Sequence, residues 1–98
     1  MQDYINGYYT KKGSRPLARE EIVKTVCLTN GMTAVFGYID DPHDKVSCDV
    51  YKDEGLKDLI FMEHLIEPCG LDLKAEDIER TLPMLTKLIE RHCTLLAL

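Results

Sequence analysis

Hydrophobic and polar positions alternate most clearly over residues 45–52, which read KVSCDVYK. Val46, Cys48 and Val50 occupy every second position, and polar residues lie between them. A period of two predicts an antiparallel strand with one face in the core and the other in water. Residues 32–39 (MTAVFGYI) are β-branched, aromatic and free of charge, which predicts a second, buried strand. The segment 40–44 between them has Asp and Pro at turn positions, so we expect a hairpin.

The segment from Pro16 to Gly31 fits two different structures. Pro16 near a first turn, Glu20 and Glu21 soon after it, and Asn30-Gly31 at the end predict a helix. However, Asn30-Gly31 is also a strong hairpin turn, so residues 22–29 and 32–39 alternatively predict two paired strands. The helix-start signals favour the helix, and the sequence leaves both structures open.

Helices are predicted in the second half of the chain. Residues 56–66 (LKDLIFMEHLI) have a broad apolar face, and Asp53 can cap the start of that helix. Residues 72–80 predict a short amphipathic turn. A last helix restarts at Thr81 with Pro83 in its first turn, where proline is tolerated. Its stripe contains Leu82, Leu85, Leu88, Ile89, His92, Leu95 and Leu96. The predicted fold is therefore α+β, a small antiparallel β-hairpin or sheet packed against two to three α-helices.

The first fifteen residues differ from the rest of the chain. They contain Tyr4, Tyr8 and Tyr9 together with glycines and basic residues. Turn signals at Asn6-Gly7 and Lys12-Gly13 leave room only for short strands. We expect a flexible arm over residues 1–15, either extended or paired at a sheet edge, and a single globular domain over residues 16–98. A chain of 98 residues is long enough for one core.

The charge balance narrows the classes of partner. The chain has 12 basic and 17 acidic residues, a net charge of −5, which disfavours direct binding to nucleic acid. No run approaches the roughly 18 apolar residues that a membrane-spanning helix needs. The start of the sequence lacks the apolar core of a secretory signal, so a cytoplasmic location is expected.

Cysteine and histidine offer a weak candidate metal site. The four cysteines form no Cys-x-x-Cys pair, so no structural zinc pattern is present. Two His–Cys pairs share one spacing, His43 with Cys48 and His64 with Cys69, and these four side chains are the metal candidates. Burial of the cysteines as small apolar residues is the simpler interpretation, so we expect neither metal nor cofactor.

Catalysis has little support in the sequence. Neither serine lies in a Gly-x-Ser-x-Gly turn, and no glycine-rich phosphate loop is present. Although His92 and Cys93 are adjacent, neighbouring helical residues point about 100° apart and do not face each other. His92 is therefore expected to be packed or to lie in an interface. The sequence indicates a protein that is not an enzyme.

Acidic and aromatic side chains suggest a binding function instead. We expect a small non-enzymatic interaction protein whose acidic surface docks on a basic surface of another protein, as an inhibitor or immunity-type protein would. The alternatives are a homo-oligomer held by the C-terminal stripe (Leu82, Leu85, Ile89, Leu95 and Leu96) and a metal-binding Cys/His protein or enzyme. The predicted partner-binding residues are Asp40, Asp41, Asp44, Asp49, Asp53, Glu54, Tyr8 and Tyr9.

Overall fold

The computed structural model describes residues 4–5, 8–13, 15–39, 45–66 and 76–98. These residues form one antiparallel sheet, and its strands lie in the order β1-β2-β6-β5-β4-β3. The strands are β1 (Tyr4–Ile5), β2 (Tyr8–Lys12), β3 (Ile22–Cys27), β4 (Thr33–Ile39), β5 (Lys45–Tyr51) and β6 (Leu59–Ile66), and the helix is α1 (Asp77–Leu95). The α+β class is confirmed, with one α-helix rather than two to three in the described residues.

The main core lies between α1 and one face of the sheet, which we call the helix face. Alternate residues of β4, β5 and β6 contact the apolar stripe of α1 there. Every second side chain of a strand points to the same face, and apolar side chains spaced three or four positions apart form one stripe on a helix. Burial of these side chains supplies the main stabilisation of the fold. The cluster includes Phe36, Val46, Cys48, Val50, Leu65, Ile78, Leu85, Leu88, Ile89 and Cys93.

The predicted hairpin over residues 32–52 is confirmed. Thr33–Ile39 and Lys45–Tyr51 pair in antiparallel register from Thr33 with Tyr51 to Ile39 with Lys45. Residues 40–44, which were predicted to connect them, lie outside the described residues.

The helix predicted over residues 16–29 is wrong, and the alternative hairpin is the observed structure. A 3₁₀ turn (Arg19–Glu21) precedes β3, which pairs with β4. Gly31, with a φ of 88°, supplies the left-handed residue of the turn, and the Asn30 side chain accepts a hydrogen bond from the Met32 N–H at 2.9 Å. The β-branched residues of β3 gain pairing in the sheet, which outweighs the local helix-start signals.

The helix predicted over residues 56–66 is also wrong, because residues 59–66 form β6. This strand lies between β2 and β5, and its side chains from Glu63 to Leu65 are buried. A strand that is covered on both faces is apolar at nearly every position. Over eight residues, such a run has the same composition as a buried helix.

A crossover segment, residues 15–21, covers the opposite face of the sheet. The chain leaves β2 and must pass over β6, β5 and β4 to reach β3 at the far edge. Gly13 N–H donates to the Met62 carbonyl on β6, and Leu17 packs with Val35 and Ile39 of β4. The face predicted to be wet is therefore covered where this segment crosses it.

Two further segments differ from their predicted outlines. Within residues 1–15, β1 pairs with β2 and β2 pairs with β6, whereas the division into a flexible arm and a domain remains a prediction. The last helix begins at Asp77, one turn before Thr81, so Pro83 lies inside it rather than in its first turn. Only the end of the turn predicted at 72–80 lies within the described residues, and there it is the start of α1.

Among the described residues, no helix combines the length and the apolar character that crossing a lipid bilayer requires.

Candidate functional site

A groove of about 500 Å³ lies between β6 and the C-terminal end of α1. Its apolar rim carries Leu59, Ile60 and Leu96, whose exposed fractions are 37%, 38% and 49%. Its polar part carries Lys12, Glu63 and His92. Grooves of this size are typical of binding sites when they combine an apolar wall with a few polar atoms that point toward the ligand.

The sheet register places the polar residues of the groove together. Lys12 of β2 lies directly opposite Glu63 of β6, so both side chains belong to the helix face. His92 reaches this face from α1, and its Nε2 lies 2.9 Å from Glu63 Oε1. The Phe61 ring lies against the imidazole, with 4.9 Å between ring centroids. Three elements thus position one carboxylate–imidazole pair.

Burial shifts the acid–base balance of this pair. Partial burial raises the pKa of the Glu63 carboxyl, while His92 and Lys12 oppose the rise. The groove lining, in the described residues, includes no hydroxyl or thiol beside the imidazole. The arrangement can hold a ligand or move a proton, but it provides no serine, threonine or cysteine nucleophile.

A second polar cluster lies on the face under the crossover segment. Ser47 Oγ lies 2.7 Å from His64 Nδ1, and both side chains are buried. On the same face Asp49, which is 0% exposed, accepts a hydrogen bond from the Leu17 N–H at 2.7 Å. Burial raises the pKa of the Asp49 carboxyl. Ser47, Asp49 and His64 therefore lie on one face of the sheet, but their side chains are buried and hydrogen-bonded within the fold, so they are closed to a substrate.

The predicted acidic surface is only partly supported by the positions of its residues. Asp49 was predicted to face water, and this is corrected, because the crossover segment buries it. Asp53 and Glu54 are exposed in the turn between β5 and β6. Asp40, Asp41 and Asp44 lie outside the described residues. For Tyr8 and Tyr9 the structure describes the backbone but not the side chains.

The four metal candidates are not brought together in the described part of the chain. Cys48 is opposite Glu63 on the helix face, whereas His64 is opposite Ser47 on the other face. His43 and Cys69 lie outside the described residues. Those residues that are described contain no group of three or more metal-ligating His, Cys, Asp or Glu side chains.

The C-terminal stripe divides into two parts. Leu85 and Ile89 are fully buried against the sheet and Leu82 is partly buried there, so these three do not form an open interface. Leu95 and Leu96 are exposed, as is Leu98. Within this stripe, only Leu95 and Leu96 are therefore exposed enough to contact another copy of the chain.

No protein-family model, curated protein or solved structure matches this chain.

Sequence reasoning missed the groove because its polar residues are far apart in the chain. Glu63 falls within the segment predicted to be a helix, although it lies on strand β6 beside His92. The expectation that His92 is packed agrees with its contact to Phe61. Only the strand register, which the sequence does not specify, places Lys12 next to Glu63.

Proposed function

We propose that this chain is a non-enzymatic interaction protein, which binds another protein in the cytoplasm through the groove between β6 and α1. The observation that carries the proposal is the exposure of Leu59, Ile60 and Leu96 around one concave surface. Exposed apolar side chains that are grouped around a cavity, rather than scattered, are characteristic of interaction sites.

The surroundings of the groove favour a macromolecule as the partner. A second depression of about 200 Å³ near the end of α1 is lined mainly by polar residues, among them Thr29, Glu90 and Thr94, and also by Leu98, which is exposed. Leu95, at the end of α1, is also exposed. Apolar surface around the last turns of α1 thus extends beyond the groove. A partner that covers all of it must have a larger contact surface than a small ligand offers.

The absence of an open reactive centre in the described residues supports a binding role over catalysis. Cys48 and Cys93 are buried, and burial raises the pKa of each thiol. Ser47 and His64 are buried. The Glu63–His92 pair lines the groove, and the other residues of that lining are apolar apart from Lys12.

Site-specific photo-crosslinking tests the proposal. A photoreactive amino acid replaces Ile60 in one version of the protein and Val23 in another, both in cells that naturally produce it. Val23 is similarly exposed but lies on β3 at the far edge of the sheet. We expect a discrete protein adduct from position 60 and none from position 23, and Leu96→Asp should abolish it. No adduct from position 60, or the same adducts from both positions, would contradict the proposal.

The acidic form of the proposal has its own test. Asp40, Asp41 and Asp44 are changed together to Asn, and association with the crosslinked partner is measured at low salt. Slower association would support docking on a basic surface, because long-range attraction between opposite charges raises the association rate. An unchanged rate would limit the interaction to the groove.

A further inference from the structure

We infer that the partner enters the groove as an extended segment, which adds a short β-strand to an open edge of β6. The open edge is the first part of β6, residues 59–61. This inference rests on the proposed function and specifies the form in which the partner binds at that same site.

The open edge exists because β2 stops before it reaches the start of β6. The regular pairing of β2 with β6 ends at Lys12, and the Gly13 N–H then donates to the Met62 carbonyl at 3.0 Å. Residues 15–21 next cross the other face of the sheet instead of continuing along β6. Beyond the Gly13 bond, no backbone hydrogen bond joins β6 to described residues on this side. The open edge pairs with β5 on its other side, so one row of its backbone groups has no strand beside it.

The groove reaches this open edge. Residues 59–63 line it without a gap, although successive side chains of a strand point to opposite faces. The lining therefore includes the edge of the strand as well as one face. The pairing of β5 with β6 shifts by one residue between Phe61 and Leu59, which bends the strand at Ile60. Leu59 and Ile60 remain exposed there, opposite Leu96 on the helix side of the groove.

The unpaired row of backbone groups favours an extended partner over a helical one. The N–H and C=O groups inside a helix already bond to each other, so a helix has few left for the open edge. An extended segment presents a free row of the same groups and can pair with a strand edge. Its alternate side chains then contact the apolar rim, and their burial supplies most of the affinity.

The charged groups of the groove are matched among themselves. Glu63 Oε1 lies 2.9 Å from His92 Nε2, and Lys12 lies directly opposite Glu63 on β2. A partner therefore needs no charged side chain to balance the groove. The expected segment has neutral, apolar side chains at every second position.

Selection from a random peptide library tests the inference. Displayed peptides of about twelve residues are long enough to bind either as a strand or as a helix. They are selected on the natural sequence, and their affinities for two variants are then measured. Leu96→Asp changes the groove wall, whereas Val23→Asp changes a similarly exposed residue on β3 at the far edge of the sheet. We expect apolar residues at every second position of the selected peptides. Their affinity should fall about tenfold with Leu96→Asp and stay unchanged with Val23→Asp.

Two measurements on a selected peptide test for backbone pairing. Methylation of two adjacent central nitrogens keeps the side chains and removes donors from both edges of an extended peptide, since neighbouring N–H groups point to opposite edges. The methylated peptide should bind about tenfold more weakly. In the complex with the unmethylated peptide, at least one backbone amide hydrogen of residues 59–61 should exchange with solvent more slowly than in the free protein.

Each other outcome has a defined meaning. Apolar residues three or four positions apart in the selected peptides would indicate a helical partner, which would overturn the inference and leave the proposed function intact. Equal affinities of the methylated and unmethylated peptides would exclude backbone pairing. Binding that is lost with Val23→Asp and kept with Leu96→Asp would place the peptide on β3 and also overturn the inference. If no peptide prefers the natural sequence to Leu96→Asp, the inference is wrong, and the crosslinking experiment then decides the proposed function separately.

Discussion

The carboxylate of Asp49 accepts a hydrogen bond from the backbone N–H of Leu17 across 32 positions of sequence, and both residues are buried. Asp49 lies on β5 near the middle of the sheet, and Leu17 lies in the segment that crosses it. This bond anchors a connection that has no regular pairing of its own apart from one 3₁₀ turn. An acidic side chain thus acts as a structural acceptor inside the protein.

Replacement of Asp49 by Ala should destabilise the fold by about 2 kcal/mol, because it leaves the buried Leu17 N–H without its acceptor. Asp49→Asn keeps an oxygen acceptor and should cost less. The free energy of unfolding in urea measures both effects. Asp58→Ala, at an exposed aspartate in the turn before β6, is the control and should change stability by less than about 0.5 kcal/mol. Equal effects of Asp49→Ala and Asp58→Ala would contradict the anchoring role.

A contact between Arg15 and Glu21 also holds the crossover segment, and it predicts that the stability of the fold depends on pH. Arg15 donates two hydrogen bonds of 2.8 Å to Glu21, and the Ala18 N–H donates one of 2.7 Å. These bonds lower the pKa of the Glu21 carboxyl from its ordinary value of 4.5 to about 2. The unfolded chain therefore binds more protons than the folded chain between those values. The stabilisation from Glu21 is complete above the higher pKa and is lost as the pH falls through the lower one.

The Glu21→Gln variant tests this sign. At pH 7 we expect it to be less stable than the natural sequence by about 0.5–1 kcal/mol, the range for an exposed ion pair. The difference in the urea midpoint should shrink as the pH falls from 5 to 3 and vanish only below about pH 2. Glu20→Gln, at the exposed neighbouring glutamate, should match the natural sequence at pH 7. A difference that stays constant over this range would refute the assignment.

The fold could be predicted from the sequence where the pattern was local and unambiguous. The β4–β5 hairpin followed from clean alternation in residues 45–52 and from the β-branched residues before it. The strand β6 could not be distinguished from a helix, because a run of eight mostly apolar residues fits either structure. For residues 16–29 the sequence contained signals for both structures, and pairing with β4 selected the strand.

The candidate site could be predicted less well than the fold. Charge alone suggested that Asp49 lies on a surface, yet the path of residues 15–21 across the sheet buries it. The groove depends on register between β2 and β6 and on where α1 ends. Such relationships join residues about thirty to eighty positions apart, so composition and local periodicity contain no signal for them.

Glycine at position 37 is required by the close approach of the crossover segment. A Cβ at Gly37 would clash with the Glu21 carbonyl oxygen and lie 2.9 Å from both Leu17 methyl groups. Gly37→Ala should therefore displace the segment and cost about 2–3 kcal/mol in unfolding free energy. Gly31→Ala is the comparison: nothing lies within 4 Å of its Cβ, and its left-handed φ of 88° should cost about 1 kcal/mol. A smaller loss at Gly37 than at Gly31 would show that the segment moves without penalty.

Buried thiols should react more slowly than exposed ones. Measuring the reactivity of each thiol also tests the alternative that the chain is a Cys/His enzyme. Cys27 is exposed on β3, whereas Cys48 and Cys93 are buried, with pKa values raised by burial. In a Cys69→Ser background, a disulfide reagent at pH 7.5 should label one thiol rapidly and two only after unfolding. Adding Cys27→Ser should remove the rapid phase. Rapid labelling of Cys48 or Cys93 in the folded protein would instead support a reactive thiol.

The two parts of the C-terminal stripe should respond differently to truncation. Leu85→Ala removes a fully buried side chain between α1 and the sheet, so it should destabilise the fold by about 2–5 kcal/mol. Leu96→Ala removes an exposed side chain from the groove rim and should change the unfolding free energy by less than about 0.5 kcal/mol. Light scattering on Leu95→Ser/Leu96→Ser gives the second readout. If copies of the chain associate through this end, the mass should fall toward that of one chain while the fold is kept. A mass above one chain that persists in the double variant would exclude these two leucines as the contact between copies.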